Sequence, residues 1–188
     1  SSDDELVAAI KQELGVKRSA DILFNLDKTL LLVEGLADET CIRKFAELLK
    51  YDLSNYKIHV CDGDSILQVA YICLKLGIPK LYIMLDNDNK YKPERYKQTH
   101  STYSECMSEM TKHGDKCIFI GNTENGCLED LVKDENNKFK YFNTRQQTWK
   151  ILASAINKIT DQNEVCKETL SNFEQLFNEL NIPKLTNN

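Results

Sequence analysis

Acidic residues follow the apolar stretches of this sequence at the points where buried strands are predicted to end. Residues 30–33 are aliphatic, and Glu34 comes directly after them. Residues 81–85 are apolar as well, and they lead into Asp86 and Asp88. Because alternate residues of an extended chain point to the same side, Asp86 and Asp88 can present two carboxylates together. Glu34 supplies a third carboxylate if the two strands are neighbours.

Carboxylates gathered at one place repel each other unless a cation neutralises them. The seven cysteines include no Cys-x-x-Cys pair, and the three histidines are scattered along the chain. Oxygen ligands without paired cysteine or histidine are typical of Mg²⁺ or Mn²⁺ rather than zinc. The residues therefore predict a magnesium or manganese site. The alternative is that single acids after strands only cap helices or face solvent.

The elements that must position these acids alternate between strand and helix. Such alternation predicts an α/β fold with a mostly parallel sheet of four to five strands and helices on both faces. In an open parallel sheet, ligands bind at the carboxyl ends of the strands. Strands are predicted at 30–33, 58–61, 81–85, 117–120 and 139–142, and helices at 3–14, 38–50, 65–76, 104–113, 128–133, 144–159 and 163–180.

Three segments are predicted along the chain. Residues 1–27 form an N-terminal helical segment, residues 28–143 the α/β domain, and residues 144–188 a C-terminal helical extension packed on that domain. The length of 188 residues and a hydrophobic content of 41% suit a globular protein. The cysteines lie mostly among apolar neighbours, so we interpret them as small core residues of a cytoplasmic protein.

The acidic motifs resemble the Toprim fold, the metal-dependent catalytic domain of topoisomerases, bacterial primases and several nucleases. That family has an apolar strand ending in Glu-Gly and a later apolar strand ending in Asp-x-Asp, which here are Glu34-Gly35 and Asp86-Asn87-Asp88. The variant is most similar to the overcoming-lysogenization-defect (OLD) nucleases and to small Toprim proteins of bacteria and archaea. Asp38 completes their Glu-Gly-x-x-Asp motif, and Glu129 lies in a Gly-x-Leu-Glu-Asp segment.

This resemblance implies metal-dependent hydrolysis of phosphodiester bonds in nucleic acid. Glu34, Asp86 and Asp88 would be the catalytic residues and would hold one Mg²⁺ or Mn²⁺. Asp38 and Glu129 are candidates for a second ion. Glu34 is alternatively a general acid or base, if it binds no metal.

A basic loop follows Asp88 directly. Cations in such a loop can contact the phosphates of DNA or RNA, and its two tyrosines can stack on bases. The alternative is an ordinary solvated loop. The net charge of −5 argues against coating of duplex DNA by the whole surface. The predicted nucleic-acid-binding residues are Lys90, Lys92, Arg95 and Lys97.

Two other functions remain open from the sequence. The fold could hold Mg²⁺ and bind nucleic acid or protein without cleaving, and the C-terminal helices could contact a partner protein or an ATPase domain. The segment from Asn25 to Thr29 also resembles the first motif of the haloacid dehalogenase phosphatases. Asn25, however, stands at the position of the nucleophilic aspartate and cannot form the aspartyl-phosphate.

Overall fold

Four strands among the described residues form one parallel sheet. The computed structural model describes residues 27–61, 66–86, 108, 112, 116–120, 128–132 and 148–186. The strands are β1 (Thr29–Val33), β2 (Tyr56–Val60), β3 (Leu81–Asp86) and β4 (Lys116–Ile120). Their order across the sheet is β2-β1-β3-β4, and each neighbouring pair is parallel. The predicted α/β class is thereby confirmed, while the strand predicted at 139–142 lies outside the described residues.

Helices connect and cover these strands. They are α1 (Leu36–Leu49), α2 (Ile66–Lys75), the one-turn α3 (Leu128–Leu131), α4 (Thr148–Asn157) and α5 (Lys167–Glu179). Of the helix predicted at 104–113, Ser108 and Lys112 are described, and both are helical. The helix predicted at 3–14 lies outside the described part of the chain. Within the described ranges, every helix is too short or too polar to cross a lipid bilayer.

The aliphatic run of β1 is explained by burial on both faces of the sheet. Leu31 and Val33 belong to the apolar cluster that also contains residues of α1, α4 and α5. Leu30 and Leu32 belong to a second cluster, which contains residues of α2 and β3. Successive side chains of a strand point to opposite faces, so a central parallel strand covered on both sides needs apolar residues throughout. The molecule therefore has a helix–sheet–helix layering.

The last helix begins four residues later than the sequence predicts. Residues 163–180 have helical periodicity, but α5 starts at Lys167 after a separate 3₁₀ turn, Gln162–Glu164. The backbone N–H of Asn163 donates to Asp161 Oδ1 at 2.7 Å, and those of Thr160 and Asp161 donate to Glu164 Oε1. These side chains compete with the helix for the backbone donors, so the turn stays separate.

The C-terminal helices pack on α1 through aromatic residues. The rings of Phe45 and Phe173 are stacked, with centroids 4.0 Å apart, and both side chains are fully buried. Tyr51 and Phe177 are in tilted contact at 4.8 Å. The C-terminal helices and the sheet therefore share one hydrophobic core. The division into segments 1–27, 28–143 and 144–188 stays a prediction.

Candidate metal centre

The order of the strands identifies one place at the carboxyl edge of the sheet. The chain leaves β1 toward β2 on one side, and it leaves β3 toward β4 on the other side. β1 and β3 are neighbours, so the connections diverge between their carboxyl ends and leave a crevice there. Open α/β sheets bind their ligands in this crevice. Glu34 directly follows β1, and Asp86 is the last residue of β3.

The structure brings Glu34 and Asp86 together across this crevice. The backbone N–H of Asp86 donates to Glu34 Oε2 at 2.8 Å, although the two residues are 52 positions apart. Both residues are only partly buried, so a ligand can approach them from solvent. A charge-assisted hydrogen bond of this kind fixes the orientation of the glutamate carboxylate.

A second backbone donor orients the carboxylate of Asp86. The N–H of Leu128, the first residue of α3, donates to Asp86 Oδ1 at 3.0 Å. The Leu128 side chain is buried in the same core cluster as Met84 of β3. This contact keeps the beginning of α3 at the carboxyl edge of the sheet. Glu129, the next residue, is therefore carried on an element held beside Asp86.

Asp38 has a structural role at the beginning of α1. Its side chain is buried, with 5% of its surface exposed, and its Oδ2 accepts a hydrogen bond of 2.8 Å from the N–H of Gly35. The Asp38 carboxylate therefore satisfies the N–H of Gly35, which directly precedes the helix. This is the capping role that is the alternative to metal binding for acids after strands. Its role as a ligand of a second metal ion stays a prediction.

Several predicted site residues lie outside the part of the chain that the structure describes. Asp88 of the predicted trio and the four basic residues Lys90, Lys92, Arg95 and Lys97 are outside the described residues, as is Asn25 of the phosphatase-like motif. Asp27 is exposed and precedes β1, so it lies at the amino edge, opposite Glu34. This position does not favour the phosphatase alternative, because ligands bind at the carboxyl edge.

Oxygen donors at the crevice fit a hard divalent cation. Glu34 and Asp86 contribute carboxylates of like charge, and a cation between them would relieve their repulsion. In the part of the chain that the structure describes, no group of three or more His, Cys, Asp or Glu residues is arranged as a metal site. The structure therefore brings together two members of the predicted trio, Glu34 and Asp86, and their role as metal ligands stays a prediction.

One contact near the crevice was not predicted from the sequence. Asn172 of α5 donates through Nδ2 to the carbonyl oxygen of Leu131 at 2.9 Å, at the end of α3. Helical spacing puts residue 172 beside the buried face formed by Thr169, Phe173 and Leu176. That spacing could have indicated a contact with another element, but nothing in the sequence identifies Leu131 as the partner.

Comparison with known families agrees with these motifs. The family model described as "Overcoming lysogenization defect protein-like, TOPRIM domain" matches residues 26–88, about a third of the chain. The matched segment contains Glu34, Asp38, Asp86 and Asp88, and it spans β1 to the end of β3. No curated protein and no solved structure matches the chain. The resemblance predicted from the sequence is thus confirmed, because residues 26–88 match the model of an OLD-like Toprim domain.

Proposed function

We propose that this protein is a divalent-metal-dependent nuclease that hydrolyses phosphodiester bonds in nucleic acid. The observation that carries the proposal is the 2.8 Å contact between Glu34 Oε2 and the N–H of Asp86, at the crevice between β1 and β3. Toprim domains are metal-binding modules of nucleases and primases, and the match over residues 26–88 supports this chemistry.

Glu34, Asp86 and Asp88 would hold one Mg²⁺ or Mn²⁺, and Asp38 and Glu129 are the candidate ligands of a second ion. When bound, such ions stabilise the negative charge of a phosphodiester transition state and lower the pKa of a bound water molecule. Glu34 could instead accept the proton of the attacking water. Mn²⁺ binding separates the two roles, because Glu34→Gln should weaken it if Glu34 is a ligand and leave it unchanged if Glu34 is only a base.

The protein's own contribution is to orient its carboxylates before substrate binds. The N–H of Asp86 holds the carboxylate of Glu34, and the N–H of Leu128 holds that of Asp86. Fixed carboxylates lose little conformational freedom on binding a ligand. Both of these hydrogen bonds come from backbone N–H groups, one in β3 and one in α3, so the geometry of the centre depends on the positions of these two elements.

The substrate would be held by phosphate contacts from the loop after Asp88. Lys90, Lys92, Arg95 and Lys97 give this loop a local positive charge in a chain whose net charge is −5. Contacts with phosphates position a nucleic acid without reading its sequence. We therefore expect the protein to cleave nucleic acids of many sequences. Its affinity for nucleic acid should decrease as the salt concentration increases.

The buried thiols support a cytoplasmic location. Cys41, Cys61 and Cys73 are each buried, and they lie in the two apolar clusters of the core. Buried thiols among apolar residues suit a reducing compartment. A partner protein at the C-terminal helices stays a prediction of the sequence.

The test is cleavage of labelled single-stranded DNA and RNA by the purified chain with Mg²⁺, with Mn²⁺ or with EDTA. We expect cleavage only with metal, and a loss of about 100-fold or more in Asp86→Asn, because this variant removes the charge that binds the ion. Asn keeps an oxygen that can accept from the Leu128 N–H, so the fold is retained. Glu34→Gln is expected to reduce cleavage as well.

Asp52→Asn is the matched control for this experiment. Asp52 also accepts a backbone hydrogen bond, from Ser54 N–H at 2.8 Å, but it precedes β2 at the opposite edge of the sheet. Full cleavage by folded Asp86→Asn and Glu34→Gln would reject the proposed centre. Binding of Mn²⁺ without cleavage of any substrate by the unmodified chain would favour the non-catalytic metal-binding module.

A further inference from the structure

The one-turn helix α3 is held at both ends by side chains from distant parts of the chain. At its beginning, the Leu128 N–H donates to Asp86 Oδ1 of β3. At its end, the Leu131 carbonyl accepts from Asn172 Nδ2 of α5, a half-buried residue. The side chains of Leu128 and Val132 are buried in the cluster that contains Phe173.

A helix of four residues is not stable by itself, because nucleating the first turn is unfavourable. The last carbonyls of a helix also lack partners within it. Only a donor can satisfy such a carbonyl, and the amide nitrogen of Asn172 supplies one. The position of α3 therefore depends on α5 at one end and on β3 at the other.

We propose that Asn172 is a positioning residue for the metal centre. By holding the end of α3, it keeps the Leu128 N–H on the carboxylate of Asp86 and keeps Glu129 at the same edge of the sheet. This inference rests on the proposed function for the role of Asp86 as a metal ligand. It assigns part of the centre to α5, which lies outside the segment matched by the Toprim model.

The experiment uses the full 188-residue chain. Asn172→Asp has nearly the same shape but cannot donate a hydrogen bond, whereas Asn172→Gln keeps the donor on a longer side chain. Gln175→Ala is the matched control, because Gln175 is an exposed amide of the same helix whose contact is with Glu179. Two quantities are measured: hydrogen exchange of the Leu128 amide, and the Kd of Mn²⁺ by electron paramagnetic resonance.

We expect Asn172→Asp to increase the Kd of Mn²⁺ about 10-fold, which is typical of residues that orient a metal ligand. Exchange of the Leu128 amide should become faster by about 10-fold, because its hydrogen bond to Asp86 opens more often. Asn172→Gln should recover part of both effects. Gln175→Ala should leave both quantities unchanged.

The proposal for Asn172 is overturned if amide exchange of Leu128 is unchanged in Asn172→Asp. It is also overturned if Asn172→Asp binds Mn²⁺ as tightly as the unmodified chain while Asp86→Asn binds it more weakly. Failure of the proposed function looks different, because Asp86→Asn and Glu34→Gln would then bind Mn²⁺ as well as the unmodified chain does. In that case the metal role of Asn172 fails together with the proposed function. Faster exchange of the Leu128 amide in Asn172→Asp would then still show that Asn172 holds α3.

Discussion

Asp38 shows how one acid at the carboxyl edge contributes to stability. Its Oδ2 accepts from the N–H of Gly35, and its side chain is buried. We predict that Asp38→Ala lowers the free energy of unfolding by about 1 kcal/mol, because the helix loses a capping acceptor. Urea denaturation followed by circular dichroism measures this change.

Asp38→Asn is the control, since it keeps an acceptor for Gly35 and should remain closer to the stability of the unmodified chain. If Asp38→Asn is as unstable as Asp38→Ala, the negative charge matters more than the hydrogen bond. Loss of metal-dependent cleavage by a stable Asp38→Asn would support its predicted role as a ligand of a second ion.

Tyr56 links β2 to the end of α5. Its hydroxyl contacts the carbonyl oxygens of Leu180 at 3.1 Å and Asn181 at 2.7 Å. Burial raises the pKa of Tyr56 from 10.0 to about 12, and the nearby Tyr82 contributes to the increase. We predict that Tyr56→Phe lowers the free energy of unfolding by about 1 kcal/mol at neutral pH, because the hydroxyl loses its carbonyl partners.

The pH dependence of this effect follows from the raised pKa of Tyr56. The folded state binds the hydroxyl proton more tightly than the unfolded state does, so the contribution is complete below pH 10.0. It is lost as the pH rises through about 12. The stability difference between the unmodified chain and Tyr56→Phe should therefore shrink in alkali. A difference that stays constant from neutral pH to pH 12 would contradict this role of the hydroxyl.

Cys73 is predicted to be unreactive in the folded protein. It is fully buried in α2, and burial raises the pKa of its thiol to about 12. Since the thiolate is the nucleophile, iodoacetamide at pH 8 should not modify Cys73 until denaturant is added. Mass spectrometry of tryptic peptides measures the modification. The partly exposed Cys166 serves as the internal comparison, and equal reaction rates at both thiols would contradict the buried position of Cys73.

At the scale of elements, α5 connects the C-terminal segment to α1 through stacked aromatic rings. Phe173 is fully buried and lies 4.0 Å, between ring centroids, from Phe45. We predict that Phe173→Ala lowers the free energy of unfolding by about 3–5 kcal/mol, because it removes a large side chain and leaves a cavity. Phe173→Leu should lower it less. Urea denaturation measures both variants.

Leu170→Ala provides the matched control on the same helix, since this residue is only partly buried against the core. A decrease in Phe173→Ala no larger than that in Leu170→Ala would show that α5 contributes little to the core. The same experiment bears on the predicted C-terminal extension, because a loosely attached helix could melt without unfolding the sheet.

The sequence predicts the elements of the sheet better than the boundaries of the last helices. The strand predicted at 81–85 matches β3 within one residue, because β3 is a continuous apolar run whose end is marked by Asp86. The predicted start of the last helix was wrong by four residues. There, Asp161 and Glu164 accept backbone hydrogen bonds, and periodicity does not reveal this competition.

At the scale of the whole molecule, the negative net charge implies that the proposed binding of nucleic acid would depend on the basic loop. The chain carries a net charge of −5. We predict that Lys90→Gln combined with Lys92→Gln weakens binding similarly for all sequences, because these residues would contact phosphates. The slope of log K against log salt should decrease in magnitude by about 1–2. Fluorescence anisotropy at several salt concentrations measures the slope.

Lys158→Gln combined with Lys167→Gln is the matched control, because it removes the same charge from exposed positions near the ends of α4 and α5. If both pairs of substitutions reduce the slope equally, the effect comes from total charge rather than from the loop. If only the control pair reduces it, nucleic acid binds at the C-terminal helices instead.

The sequence by itself determined the alternation of strands and helices, the apolar run of β1 and the acids that follow β1 and β3. These features depend on local periodicity, with side chains repeating every two residues in strands and every 3.6 in helices. Only the tertiary structure decided that β1 and β3 are neighbours, which brings Glu34 to Asp86. It also decided that Asn172 reaches Leu131, 41 residues away. Strand order and such distant partners follow from packing of the whole core, and no local pattern encodes them.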